Sequence, residues 1–286
     1  MRRLLLTFAV CVCVSTGAAA QWLNYKTPGV PRTPDGKPKL DAPAPRALDG
    51  HPDLTGVWMH ERQSVAEIRQ IFGPSIDERV KVDAPGMEIG TQHKYAFNIL
   101  LDFKPEGSPM RPETATLFEQ RRANPRPQDD CDPTTLPFGF PLQGLLSEPI
   151  KIVQAPRVTM VLYEAGANFR QIYADGRQLP AEFNLPAYLG YSVGRWDGGT
   201  FVVESAGFND KTTLDAMGHP HSDQLRITER FRRRDFGHLD VEMTFDDPKM
   251  YTRPFTIRVP HDLLADQDIF EMYPENEKDC AHIGKR

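Results

Sequence analysis

From Ile150 to Val259 apolar and polar residues alternate with a period of two, broken at intervals by turn residues. Side chains of a β-strand point to opposite faces in turn, so this pattern fits half-buried strands. The clearest stretch is His219 to Asp247, two strands joined by Asp235-Phe236-Gly237. In the first, Leu225, Ile227, Glu229 and Phe231 share one face, and Gln224, Arg226, Thr228 and Arg230 the other. In the second, Leu239, Val241, Met243 and Phe245 oppose Asp240, Glu242 and Thr244. The pattern predicts strands over 150–154, 157–164, 168–174, 189–197, 200–206, 223–233, 238–246 and 253–259. Asp175-Gly176 and Asp197-Gly198-Gly199 are turn signals between them. Short connections favour antiparallel neighbours in a meander. Such a meander closes into a β-barrel and so loses its exposed edges; a β-sandwich is the competing all-β architecture.

The N-terminal half is organised differently. Arg2 and Arg3, the apolar run Leu4 to Val14 and the Ala18-Ala19-Ala20 site form the tripartite pattern of a secretory signal peptide, residues 1–20. Export is the expectation, and no later segment is apolar for long enough to span a membrane. Residues 21–52 read as an extended Pro-rich arm carrying a repeat, PRTPDGKPKL at 31–40 and PRALDGHPDL at 45–54. Proline opposes helix and sheet, so turns are expected at Asp35-Gly36 and Asp49-Gly50, in a linker or in a strap over the domain. Residues 53–286 read as one domain: a strand at 56–59, short helices over 61–72 and 112–122, little regular structure elsewhere before 150, then the strands. Net charge is −5 with both signs interspersed, which argues against a nucleic-acid surface. Arg230, Arg232, Arg233 and Arg234 read as a solvated strand end. Cys131 and Cys280 remain after cleavage, as a disulfide or as two thiols.

The misplaced polar groups carry what chemistry the sequence suggests. Glu229 is a carboxylate on an apolar face, where an unpartnered charge costs several kcal/mol. Arg170, in phase with Ile172, is a candidate partner, and His221 a second. The three are the candidate catalytic set: Glu229 or His221 as general acid/base and Arg170 for developing negative charge. A buried Arg–Glu pair that only fixes strand register is the structural alternative. Tyr173, Tyr191, Trp196, Arg226, His219 and Asp247 are the candidate ligand contacts. His219 and His221 share a direction, but C-x-x-C and H-E-x-x-H are absent, so no metal is expected. Ser192 in GYSVG lies mid-strand and not on a nucleophile elbow. No phosphate-loop or dinucleotide motif is present, and no cofactor is expected.

From Arg170 onward the stretches RQIYADGR, YLGYSVGRWDGGTFVVES, GFND, GHPHSD, RITERFRR, FDDP and ENEKD, with PDGKP and DLTGVW in the arm region, are one specific run of motifs. On them the chain resembles a large family of exported bacterial proteins of uncharacterised activity. Relatives carry a cysteine just before the ENE motif, where Pro274 stands here, and Cys280 follows instead. By architecture alone the meander is similar to calycin or lipocalin-like barrels, which implies a fold and not a function. The expectation is therefore an exported lipocalin-like β-barrel that binds a small molecule in a mostly apolar pocket with a buried acid/arginine anchor. The alternatives are an isomerase, lyase or hydrolase using Glu229 or His221, and an envelope protein whose arm binds a partner.

Overall fold

The computed structural model describes residues 26–61, 67, 69, 73, 93–123, 149–164, 168–215 and 217–270. The signal-peptide stretch, Cys131, Cys280 and the ENEKD motif lie outside the described residues. So does most of the 61–72 helix, of which Glu67 and Arg69 are helical and Glu61 is not.

Among these residues nine strands form one closed barrel in sequence order. They are β1 (Gly56–His60), β2 (Ile150–Ala155), β3 (Val158–Tyr163), β4 (Asn168–Tyr173), β5 (Tyr191–Asp197), β6 (Thr200–Ala206), β7 (Arg226–Arg233), β8 (His238–Asp246) and β9 (Phe255–Leu263). The wholly antiparallel meander expected from the sequence is corrected at one place: β4 and β5 run parallel, with Ile172 opposite Ser192 and Tyr173 opposite Val193. An odd ring cannot alternate direction all the way round, so at least one neighbouring pair must be parallel. The long connection between Tyr173 and Tyr191 absorbs the reversal, and β1 can then close antiparallel on β9. The parallel joint is short, and that matters for what lies beside it.

β9 also runs on to Leu263, past the expected end at Val259. Pro260 has no N–H to give the strand opposite. The Glu61 N–H donates to the Pro260 carbonyl at 2.8 Å. The Glu61 carbonyl, facing a residue without a donor, lies 3.1 Å from His60 Nδ1.

Alternation sends one face of each strand inward. β8 and β9 bury Leu239, Val241, Met243, Phe245, Phe255, Ile257 and Val259, and Trp58, Ile152, Val161, Ile172, Phe201 and Val203 meet them from across the barrel. Gly194 is inward too, because a Cβ there would come within 2.4 Å of the Phe201 ring. The barrel end is closed by α1 (Lys94–Phe97), a short 3-10 turn at Pro105–Gly107 and α2 (Pro112–Ala123). α2 is the second helix expected from the sequence, with Pro112 in its first turn. The Thr114 hydroxyl donates to the Met250 carbonyl at 2.7 Å, and Phe118 stacks on His219.

The arm is a strap. Its two repeats fold alike: Arg32 faces Pro38 and Arg46 faces Pro52, with Gly36 and Gly50 at φ 84° and 85°. In each, the arginine guanidinium donates to the carbonyl of the turn glycine, at 3.1 Å from Arg32 and 2.6 Å from Arg46. The first repeat is anchored by the Arg32–Asp266 ion pair at 2.5 Å. Between the repeats, the Gly237 and Phe236 N–H groups donate to the Leu40 and Ala42 carbonyls. His51 of the second repeat lies flat on Trp196, with ring centroids 4.7 Å apart.

Gly190 sits where the chain enters β5, at φ +61°, and a Cβ there would stand 2.8 Å from the Ala206 carbonyl oxygen. Backbone strain and a backbone clash act together, so Gly190→Ala is expected to cost about 2 kcal/mol. Urea unfolding should show a lower midpoint at unchanged slope.

Candidate functional site

Arg170 and Glu229 meet inside the barrel as a buried ion pair. Nη1 donates to Oε1 at 3.0 Å and Nη2 donates to Oε2. The guanidinium is further engaged: Nε donates to the Ser192 hydroxyl at 2.9 Å and Nη2 to the Ser205 hydroxyl at 2.8 Å. The two serine oxygens are 2.9 Å apart, and Tyr163 also bonds to Arg170. Burial draws the Arg170 pKa down, but the Glu229 carboxylate and Tyr163 outweigh it and leave it above the ordinary value. The Tyr163 hydroxyl is pushed up to about 12, chiefly by burial. Both Glu229 oxygens are held by one cation, and the cation's donors are taken. The cluster draws on β3, β4, β5, β6 and β7, and bridges the short parallel joint.

His221 does not belong to this set, which corrects the expected grouping. It lies before β7, with Nε2 2.8 Å from the Thr212 hydroxyl and Nδ1 3.2 Å from the Ser222 carbonyl. Burial lowers its pKa, against the raising influence of the Ser222 carbonyl and Asp247. A neutral imidazole accepting from a threonine hydroxyl is a base-competent arrangement, yet both side chains are buried. His219 belongs with Asp215, whose carboxylate takes its Nδ1–H and also accepts the N–H groups of Ile99, Gly218 and His219 at 2.7, 3.0 and 3.1 Å. Asp247 accepts the Ser222 N–H at 2.6 Å and hydroxyl at 2.8 Å, and caps the turn after β8 through the Lys249 and Met250 N–H groups. The GHPHSD segment is thus a bonded lid on one barrel end.

The remaining candidate contacts are scattered. Tyr173 and Tyr191 fall on the outer face, opposite in phase to Arg170 and Ser192. They stack at 5.2 Å, with the Arg177 guanidinium 3.9 Å above the Tyr173 ring. Trp196 is in phase with Ser192 and packs between Phe201 and His51. Arg226 is exposed, opposite Asp246.

Two groups escaped the sequence reading. The first is a trio of buried histidines. His60 and His261 are directly opposed on β1 and β9, and the His93 ring lies 5.4 Å from that of His60. Burial, reinforced by His60, lowers His93 to about 2 and His261 to about 3. Among the described residues no group of three potential ligands is placed to hold a metal ion.

The second is Arg233. The arginine run reads as a solvated strand end, but Arg233 is in phase with Glu229 and Phe231 and is buried. Counting by twos along β7 finds it. Its planar guanidinium lies over Trp58 and Phe236, at 4.9 and 5.1 Å from the ring centroids. Its hydrogen bonds all go to carbonyls: Nη1 to Asp53 at 2.5 Å and Thr55 at 3.4 Å, Nε to Asp235 and Phe236 at 3.2 Å, and Nη2 to Phe236. No carboxylate pairs with it among the described residues. Burial outweighs the nearby Asp53 and Asp235 charges and lowers its pKa to about 10.

Arg233 also lines a cleft of about 520 Å³ between the strap and the end of the β1–β9 seam. The cleft wall is largely apolar, with Val30, Val57, Phe236, Leu263, Leu264 and Ala265. Neither this cleft nor three others on the barrel reaches Arg170 or Glu229. The chain matches no family model, no curated protein and no solved structure.

Removing one partner of a buried pair leaves an uncompensated charge, so Glu229→Gln should cost about 3–5 kcal/mol in urea unfolding. The Arg170→Met/Glu229→Leu double variant should recover only part of that loss, because the bonds from Arg170 to Ser192 and Ser205 go with the arginine. A double variant as unstable as the single one would show that the pair does more than neutralise itself.

His93 and His261 set an acid limit. Their folded pKa values lie below the unfolded value near 6.5, so the unfolded chain binds more protons between those values. Stability is then fully present above about pH 6.5 and is lost as pH falls towards 3. The expected slope is roughly 1.4 kcal/mol per pH unit for each of His93 and His261. His261→Gln should flatten that slope in unfolding midpoints measured from pH 7 to pH 4.

Proposed function

We propose that this protein is an exported barrel that binds a small, mostly apolar molecule in the cleft beneath its proline-rich strap, with Arg233 as the polar anchor. The observation that carries the reading is a buried arginine without a carboxylate partner at the wall of an apolar cleft. At about 520 Å³ the cleft falls within the roughly 300–1,000 Å³ typical of small-molecule sites. An apolar wall with a few fixed polar groups is the usual composition of such a site. Its edge carries Asp53 and the Lys151–Asp268 ion pair at 2.7 Å, which gives a polar rim. Export is supported by the basic and apolar N-terminal pattern of residues 1–20. The resemblance to exported bacterial proteins points the same way. No helix among the described residues is long and apolar enough to cross a membrane.

The anchor first expected, Arg170 with Glu229, has little left to offer a ligand. Arg233 takes its place in this reading, because its hydrogen bonds go to carbonyls and no carboxylate among the described residues pairs with it. The strap forms part of the cleft wall through Thr27 to Val30 and Pro45, so a ligand there would touch both the arm and the barrel.

Anilinonaphthalene sulfonate, an apolar fluorophore with one negative charge, is the probe. Its fluorescence should rise saturably with the wild-type protein and be displaced by decanoate better than by decanol. Ala265→Trp narrows the cleft from the barrel and Val30→Trp from the strap, and each should weaken the probe at least tenfold, about 1.4 kcal/mol. Unchanged binding in both variants, with the fold intact by circular dichroism, would place the probe elsewhere and remove the proposal.

A further inference from the structure

On the far side of Pro45 and Arg233 lies a second cleft, of about 350 Å³, lined by Ala44, Pro45, Arg46, Pro52, Gly199, Thr200, Arg232 and Arg233. Three arginines line it and no acid does, in a chain whose net charge is −5. The arginines come from two structural devices, the strap and β7. Arg46 is placed by the second strap hairpin, where its Nη1 donates to the Gly50 carbonyl. Arg232 stands on the outer face of β7, and Arg233 on its inner face.

These three guanidinium groups meet no carboxylate at ion-pair distance among the described residues, although the Asp53 and Asp235 charges act on Arg233 from further away. The neighbouring acids are committed elsewhere or stand back. Asp240, opposite Arg232 in the sheet, is 3.3 Å from Arg234. Asp197 is 3.3 Å from Arg230. Asp49 accepts the His51 N–H within its own turn. Asp53 and Asp235 approach Arg233 through their backbone carbonyls. The equivalent arginine of the first repeat, Arg32, is paired with Asp266. The two hairpins are otherwise alike, so the second holds its guanidinium ready without an acid to meet it.

We infer that Arg46, Arg232 and Arg233 form an oxyanion site, and that a phosphate group, as the free ion or as a phosphomonoester, is its ligand. The chemistry follows from the donors. A guanidinium presents a planar fork that matches two oxygens of one oxyanion. Three of them favour a dianion over a monoanion, and the Thr200 hydroxyl in the wall adds a neutral donor. Five N–H groups are available to Arg233, and the carbonyl bonds described above leave one Nη2 hydrogen unassigned. The strap and the barrel each supply part of the site, so occupancy would fasten the second hairpin to β7. The site shares Pro45 and Arg233 with the apolar cleft, whereas Arg46, Arg232, Gly199 and Thr200 take no part there.

Isothermal titration with inorganic phosphate at constant ionic strength tests this, with acetate and chloride as comparison anions and glycerol phosphate as the monoester. Phosphate should bind with one-to-one stoichiometry, and acetate and chloride at least tenfold more weakly. Arg232→Gln and Arg46→Gln alter exposed side chains; each should weaken phosphate binding at least fivefold, and the pair together should abolish it. Arg258→Gln, a surface arginine of β9 paired with Glu242, should leave it unchanged. Glycerol phosphate binding as well as phosphate would identify a monoester as an acceptable ligand; phosphate alone would assign the free ion. Equal binding of acetate or chloride, or full retention of binding in the Arg46→Gln/Arg232→Gln protein, would overturn the inference. Loss of phosphate binding with the fluorophore still bound in the apolar cleft would separate this site from that one.

Discussion

The barrel depends on the Arg170–Glu229 pair because of where the pair sits. Nine strands cannot close with every neighbour antiparallel, and the unavoidable parallel joint falls between β4 and β5, with only two residue pairs in register. That is the weakest hydrogen-bonded seam in the ring. Arg170 stands on β4 beside it and reaches inward to Ser192 on β5, Ser205 on β6 and Glu229 on β7. Side-chain bonds therefore carry part of the connection that the backbone ladder does not. A buried ion pair is weak support for stability in general. Here its position gives it a specific structural task, to fix the register of four strands around the joint.

The strap solves a different problem. Both of its repeats use one arginine to close a proline-bordered turn on a left-handed glycine, a local design that needs no sheet. Docking is then supplied by single strong contacts: Arg32 on Asp266, His51 on Trp196, and the Leu40 and Ala42 carbonyls on the turn between β7 and β8. Arg233 ties the same corner from inside, through the Asp53 and Thr55 carbonyls. The arm, the β7–β8 turn and the β1 entry thus meet around one guanidinium, and the apolar and cationic clefts open on its two sides.

Much of this was legible in the residues. Period-two alternation located β8 to the residue and β7 to within three residues at its start, because each has one wet and one buried face. Glu229 stood out for the same reason, and Arg170 was found by sharing phase with Ile172. The parallel joint was not legible, since strand direction there is set by closure of the whole ring and leaves no local mark. The end of β9 was hidden by Pro260, whose missing donor leaves the Glu61 carbonyl to the ring of His60, the last residue of β1. His221 was grouped with Glu229 on nearness in sequence, but a strand carries eight residues across the length of the barrel. The histidine trio joins β1, β9 and the start of α1, three places far apart in the chain, so no spacing signals it.

Arg233 shows most clearly what a charge-run reading conceals. In RFRRR the four arginines look equivalent, and a solvated turn explains such a run in most chains. Strand phase separates them. Arg230, Arg232 and Arg234 are exposed, and Arg233 falls on the inner face with Glu229 and Phe231. The two buried arginines of the described residues then differ in one respect that decides their uses. Arg170 is matched by a carboxylate, two hydroxyls and a tyrosine, so its charge is spent within the fold. Arg233 is met by carbonyl dipoles and ring faces, which stabilise a cation without neutralising it, and its lowered pKa records the difference. That unpaired charge stands where the two clefts meet, within reach of both.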